Sequence, residues 1–263
     1  MSLLWRNHLR ISLCADRLVL GTYSSGLRPA KPRKELVSVQ PLANAPEWQA
    51  ALDALPGVLA RAKDHDVSIV LADQFVRYTV LPWTKALRTD EQWTSLARHR
   101  LAAVHGPAAA DWHIKVTETA PEGPRLACAV DRELLEQLAA KFAAAGVRLV
   151  SAQPFLVAAF NKVRSAILGM VGRGSCWLVV EEPGRLTLAF IQRGVWVALR
   201  SRRIDKGWRA RLPEMIDRES AFLALSEPCT SVLVCAEGPF DTGQYGAWHT
   251  KTFDYRDLAL AWE

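Results

Sequence analysis

The stretch WLVVEEPGRLTLAF, Trp177 to Phe190, decides how the rest of the chain is read. Two apolar runs flank Pro183-Gly184, a pair that satisfies the backbone demands of a tight turn, so the segment predicts a β-hairpin. Its first arm ends in two carboxylates, Glu181 and Glu182, and its second arm carries a hydroxyl, Thr187. Adjacent carboxylates repel a polyphosphate unless a divalent cation lies between them. The residues alone therefore favour a plain hairpin, with Glu181 and Glu182 solvated at its turn.

Working outward, RLTLAFIQRG and VWVALRSRRI predict a second and a third strand. A helix from about Trp208 to Leu225 follows, then a buried strand at SVLVCAEG and another at WHTKTFDY. The N-terminal half opens in the same order. LRISLCADRLVLGTY is two alternating runs joined at Ala15-Asp16, ELVSVQPL a third strand, EWQAALDALPGVLARAK a helix bent at Pro56, and VSIVLAD a buried strand. Asp16, like the two glutamates, reads as a hairpin residue. Between about Gln74 and Gly146 the order changes to strand, helix, strand, strand, helix. Thr89 with Gln92 forms a capping-box signature there, and Asp131 caps a helix that lines up Leu134, Leu135, Leu138 and Phe142 before Gly146 stops it. This βαββα block reads as an insertion. A strand at VRLVSAQP and a helix from Pro154 to about Val171 complete the first half, 1–171, and 172–263 is the second, shortened half.

Half of the 263 residues are hydrophobic, enough for sizeable cores. The longest apolar stretch, Phe155 to Gly172, contains Asn161, Lys162 and Arg164, which favours a core helix over a membrane span. The opening MSLLWRNHLR places its cations after a short apolar run, the wrong order for a secretory signal, so a cytoplasmic protein is expected. Five cysteines without a CxxC pair are expected to be free thiols, and His99 and His105 lack ligand spacing, so no metal site is expected. The net charge of +6 permits anionic partners, with arginines concentrated in RSRRIDKGWRAR. No helix-turn-helix, RNP or zinc-finger pattern accompanies it, and Trp48, Trp177 and Trp196 fall on apolar faces as core residues, so no specific nucleic-acid binding is expected.

Two halves each built as strand, strand, strand, helix, strand, with a βαββα insertion at about 74–146, resemble the α/β, two-lobed, ribonuclease H-like fold of the actin-like ATPases. The place of the insertion is similar to the PilM/FtsA branch, and the chain resembles the PilM-like proteins of type IV pilus assembly and the cytoplasmic domain of the type II secretion L protein. In element order the resemblance spans nearly the whole chain. It implies phosphate-gripping hairpins at the start of each half, which here correspond to Asp16 and to Glu181, Glu182, Gly184 and Thr187. The first hairpin carries Arg17 and Leu18 where the family uses glycine, and a side chain there keeps backbone amides from a phosphate. VLVCAEGPF offers a single Gly238 after Glu237 where an adenosine-packing glycine-rich turn is expected, and closing helices typical of catalytic members are not found before Glu263. The resemblance then implies a non-catalytic adaptor, peripheral to the inner membrane and without ATP or Mg²⁺. It would capture the short tail of a PilN-like membrane protein in a groove beside the insertion, with Arg200, Arg202 and Arg203 towards anionic lipid. The alternative is an ATP-dependent enzyme or switch in which Asp16 and Glu181 or Glu182 position Mg²⁺-bound water and Thr187 contacts phosphate.

Overall fold

The computed structural model describes residues 7–24, 33–117, 122–172, 174–225, 229–238, 240–241 and 248–254. The chain opens with β1 (Asn7–Leu13), β2 (Arg17–Tyr23) and β3 (Arg33–Ser38), then α1 (Gln49–Leu59) and β4 (His65–Leu71). The next block is β5 (Val76–Leu81), α2 (Asp90–His105), β6 (Trp112–Val116), β7 (Arg125–Asp131) and α3 (Arg132–Ala145). After β8 (Arg148–Pro154) and α4 (Phe155–Val171) come β9 (Ser175–Glu182), β10 (Arg185–Gln192), β11 (Val195–Arg203), α5 (Trp208–Phe222), β12 (Ser231–Ala236) and β13 (His249–Asp254).

Two five-stranded sheets repeat one another, ordered β3-β2-β1-β4-β8 and β11-β10-β9-β12-β13. In each, three antiparallel strands come first and two parallel strands are added on the far side of the opening one. The duplication inferred from element order is therefore present in strand pairing, without a residue-level repeat.

The inserted strands form a third sheet, β5-β7-β6. Helix α2 covers it, opened by the predicted capping box: the Thr89 hydroxyl accepts from the Gln92 N–H, and the Gln92 side chain accepts from the Thr89 N–H at 3.2 Å. Trp93, Ala97 and Leu101 of α2 pack with Leu81, Ile114, Ala127 and Ala129 into a small core of their own. Helix α3 behaves differently. Its Leu134, Leu138 and Phe142 join the core of the first sheet, where α3 lies against α1. The insertion's private core is thus β5, α2, β6 and β7, and α3 returns the chain to the first lobe.

Helix α4 holds the lobes together by packing against strands of both large sheets. The pleat of β9 explains how. Successive side chains of a strand point to opposite faces, so Cys176, Leu178 and Val180 enter the core shared with α4, while Trp177 and Val179 enter a second core beneath α5. Trp48, Trp177 and Trp196 are all buried, as their apolar settings predict.

Candidate functional site

Continuing the β9 alternation by two residues separates the adjacent glutamates. Glu181 follows Trp177 and Val179 to the α5 side, and Glu182 follows Leu178 and Val180 to the seam between the lobes. Neither is solvated as expected from the turn-like sequence: Glu182 is only 6% exposed and the Glu181 side chain 19%. Both stop short of Pro183-Gly184, where Gly184, at φ 74°, alone takes the left-handed backbone of the turn. The acids belong to the strand end and inherit its burial.

Each carboxylate is then satisfied locally. Glu181 accepts from the Trp208 indole N–H at 2.9 Å and from the Glu237 N–H at 3.0 Å, with the Arg209 guanidinium at 3.4 Å. It ties β9 to the first turn of α5 and to the end of β12. Glu182 crosses the seam. Both of its oxygens accept from the backbone N–H of Asp73, at 3.2 and 3.0 Å, in the 3-10 turn that follows β4.

Asp73 is itself 1% exposed. Its Oδ1 accepts from the Leu156 N–H at 3.1 Å and from the Tyr78 hydroxyl of β5. The first contact supplies something α4 lacks. Pro154 occupies its N-cap position and offers no side-chain acceptor, so a carboxylate borrowed from the end of β4 caps the helix and meets the positive end of its dipole. One residue thereby joins the first sheet, the insertion, α4 and the second-lobe hairpin. Burial pushes the Asp73 carboxyl up to about 6, against the Tyr78 and Leu156 hydrogen bonds that favour its charged form. Glu182 is raised well above the usual glutamate range, by burial first and by the neighbouring Asp73 charge second. Tyr78 is held protonated by the same burial and the same charge.

The remaining sequence-derived candidates lie around this seam. Thr187 and Arg185 pair across β9–β10 with Val180 and Glu182, which puts them on the seam face. The Thr187 hydroxyl is buried and bonded to Ser201 at 3.2 Å on the neighbouring strand β11. Asp16 sits in the β1–β2 turn, half exposed, paired with the Arg17 guanidinium at 2.9 Å. Asp16, Cys14, Glu182, Pro183 and Arg185 line one cavity between the two hairpins, of about 20 Å³. That is room for about one water molecule. Arg200 and Arg202 both reach the buried Glu219 of α5, Arg200 at 3.6 Å, and Arg203 is exposed at the end of β11. Asp73, Tyr78 and Arg185 were not singled out in the sequence. A signal for Asp73 was present: an aspartate directly after a doubly buried strand, and a later helix whose N-cap is proline.

The sequence itself matches no family model and no curated protein. Solved structures do match along the whole chain. The cytoplasmic domain of EpsL, an inner-membrane component of the type II secretion system of Vibrio cholerae, superposes with a TM-score of 0.61 at 12% identity, covering 97% of this chain and 92% of that one. A Bacteroides thetaiotaomicron protein with an actin-like ATPase fold and unknown function gives 0.64 at 11% identity, over 99% and 97%. The fold is the actin-like ATPase fold. A third match, from a PilM-PilN type IV pilus biogenesis complex, gives 0.64 at 14% identity, over 97% and 90%. At such identities the likeness establishes architecture, so the nucleotide question rests on this chain's own residues. They do not fit a nucleotide's phosphates: the two hairpins close on a one-water cavity, one acid is spent on a backbone N–H across the seam, the other on α5, and Arg17 follows Asp16 where a glycine turn would expose its amides.

Proposed function

We propose that this chain is a non-catalytic assembly platform of the type II secretion or type IV pilus kind, working at the cytoplasmic side of an inner membrane and seating a short tail of a membrane partner. The observation that carries this reading is the Glu182 carboxyl of the second-lobe hairpin bound across the seam to the Asp73 N–H in the turn after β4, so that this acid is already committed within the protein. A fold whose second-hairpin acids are committed to internal hydrogen bonds serves as a shaped platform without a nucleotide. No helix among the described residues is long and apolar enough to cross a membrane.

The tail's seat in this reading is the groove where the insertion meets the first lobe. Glu47 and Trp48 before α1 form one wall, Arg77 and Trp112 of the insertion the other, with Gln74 and Asp131 between, around about 170 Å³. Aromatic faces beside charges of both signs suit an extended peptide with an apolar anchor and polar flanks. Two measurements test the proposal. Mg-ATP at millimolar concentration is expected to leave the melting temperature unchanged; a rise of several degrees would mean a site that binds the native state and would overturn the non-catalytic reading. Peptides from the N-terminal tails of inner-membrane proteins encoded beside this chain are expected to bind at micromolar concentration and to lose affinity in Trp112→Ala. Failure of every such tail removes the platform role.

A further inference from the structure

A larger groove runs along the other side of β5. It encloses about 740 Å³ between β5, α2 and the second-lobe strand β11, with the end of α5 at one rim. Four guanidiniums line it from four separate elements: Arg77 of β5, Arg100 of α2, Arg185 of β10 and Arg200 of β11. No carboxylate lines it among the described residues. Arg200 is shared with Glu219, and Arg77 donates to the Gln74 and Val76 carbonyls, whereas Arg100 is exposed on α2 with no hydrogen bond or ion pair among the described residues. Between these charges the lining is partly aliphatic, as at Val80, Val104 and Leu199, and partly polar, at Tyr78, Thr79, His105 and Ser201. Val104, one helical turn beyond Arg100, is 76% exposed.

The backbone adds a second feature. Both strands facing the groove are edges, β5 of the three-stranded sheet and β11 of the second large sheet. Edge strands present N–H and C=O groups to an added extended segment, and here Arg77 occupies the Val76 carbonyl and Arg200 the Leu199 carbonyl of those rows. A phosphate compound would want donors converging on one point, as at a nest or helix N-terminus. Here the cations come from four separate elements, with both apolar and neutral polar side chains between them, which matches carboxylates at intervals along a chain.

We propose that this groove is a second docking site and takes an extended, acidic segment of a partner protein, its carboxylates on the arginines and its aliphatic side chains against Val104 and Leu199. The site shares Arg77 with the tail groove and is otherwise lined by different residues, so Arg100 and Val104 report on it alone.

The test is fluorescence anisotropy with a labelled peptide alternating glutamate and valine, against the same peptide with lysine for glutamate and against inorganic polyphosphate. The glutamate peptide is expected to bind, more weakly as salt rises, and the lysine peptide not to bind. Arg100→Glu combined with Val104→Glu changes only exposed positions and is expected to weaken binding about tenfold or more. Lys63→Glu, on the exposed turn after α1, is expected to leave it unchanged. Arg100→Ala alone, which removes an unpaired surface side chain, should weaken binding in the same direction and serves if the double variant folds poorly. Equal binding of both peptides, unchanged binding in both Arg100 variants, or tighter binding of polyphosphate lost through the same substitutions would each overturn the proposal.

Discussion

Replacing Asp73 with asparagine isolates the electrostatics of the seam. Asn keeps an oxygen for the Leu156 N–H and the Tyr78 hydroxyl and removes only the ionisable group. In the wild-type fold the Asp73 carboxyl titrates near 6, against an ordinary value of 3.8. A raised carboxyl pKa means that the folded state keeps a proton which the unfolded chain has already released. Stability from this group is therefore complete below pH 3.8 and is lost as pH climbs through about 6. At about 1.4 kcal/mol per tenfold change in affinity for the proton, the whole span is worth about 3 kcal/mol, of which about 2 falls between pH 4 and pH 8.

Asp73→Asn lacks this term. Any cost of the new amide is independent of pH and cancels when conditions are compared. Urea unfolding followed by tryptophan fluorescence at pH 4, 6 and 8 is expected to show the variant gaining on wild type by about 2 kcal/mol across that range. Glu182 adds in the same direction, because its own raised pKa depends partly on the Asp73 charge that the substitution removes. Parallel stability curves, with a wild-type-minus-variant difference that stays constant, would refute the reasoning and place Asp73 in contact with water.

Glu181→Ala removes the acceptor of the Trp208 indole and of the Glu237 N–H, and is expected to cost about 1–3 kcal/mol in urea unfolding while leaving the pH dependence just described intact. Thiol labelling of the native protein at neutral pH is expected to modify Cys229 quickly and the other four cysteines only on unfolding, as read by intact mass. Cys14, Cys128, Cys176 and Cys235 are buried, and burial pushes the Cys128 and Cys176 thiols up to about 12 and Cys235 higher still, so little thiolate is present to react.

Much of the frame was legible because its signals are local. The Thr89/Gln92 box and the glycine at 146 mark helix ends through hydrogen bonds made within a few residues, and both helices end where those signals stand. The doubly apolar runs of β4, β9 and β12 announce strands covered on both faces. The fate of Glu181 and Glu182 was less legible for a physical reason. Alternation says that neighbouring residues part to opposite faces, but whether a face is wet depends on what crosses over it. Glu182 is buried by an N–H that lies 109 residues earlier in the chain. Helix α3 shows the same limit: its apolar side is plain in the sequence, while the choice between the insertion's sheet and α1 is made by tertiary packing.

On the proposed reading the two grooves that share Arg77 of β5 carry the docking, and the seam bears on how firmly they are held. Glu182 accepts from the Asp73 N–H across the seam, and the Asp73 carboxylate accepts from the Leu156 N–H at the start of α4 and from the Tyr78 hydroxyl. Tyr78 belongs to β5, so the same bonds tie down the strand beside the two grooves, and Arg77 next to it lines both. A partner reading either groove meets a wall already held in place and is spared the ordering cost that a mobile insertion would impose. Burying two titratable acids at the seam costs stability at neutral pH, and the return on that cost is a rigid presentation of β5.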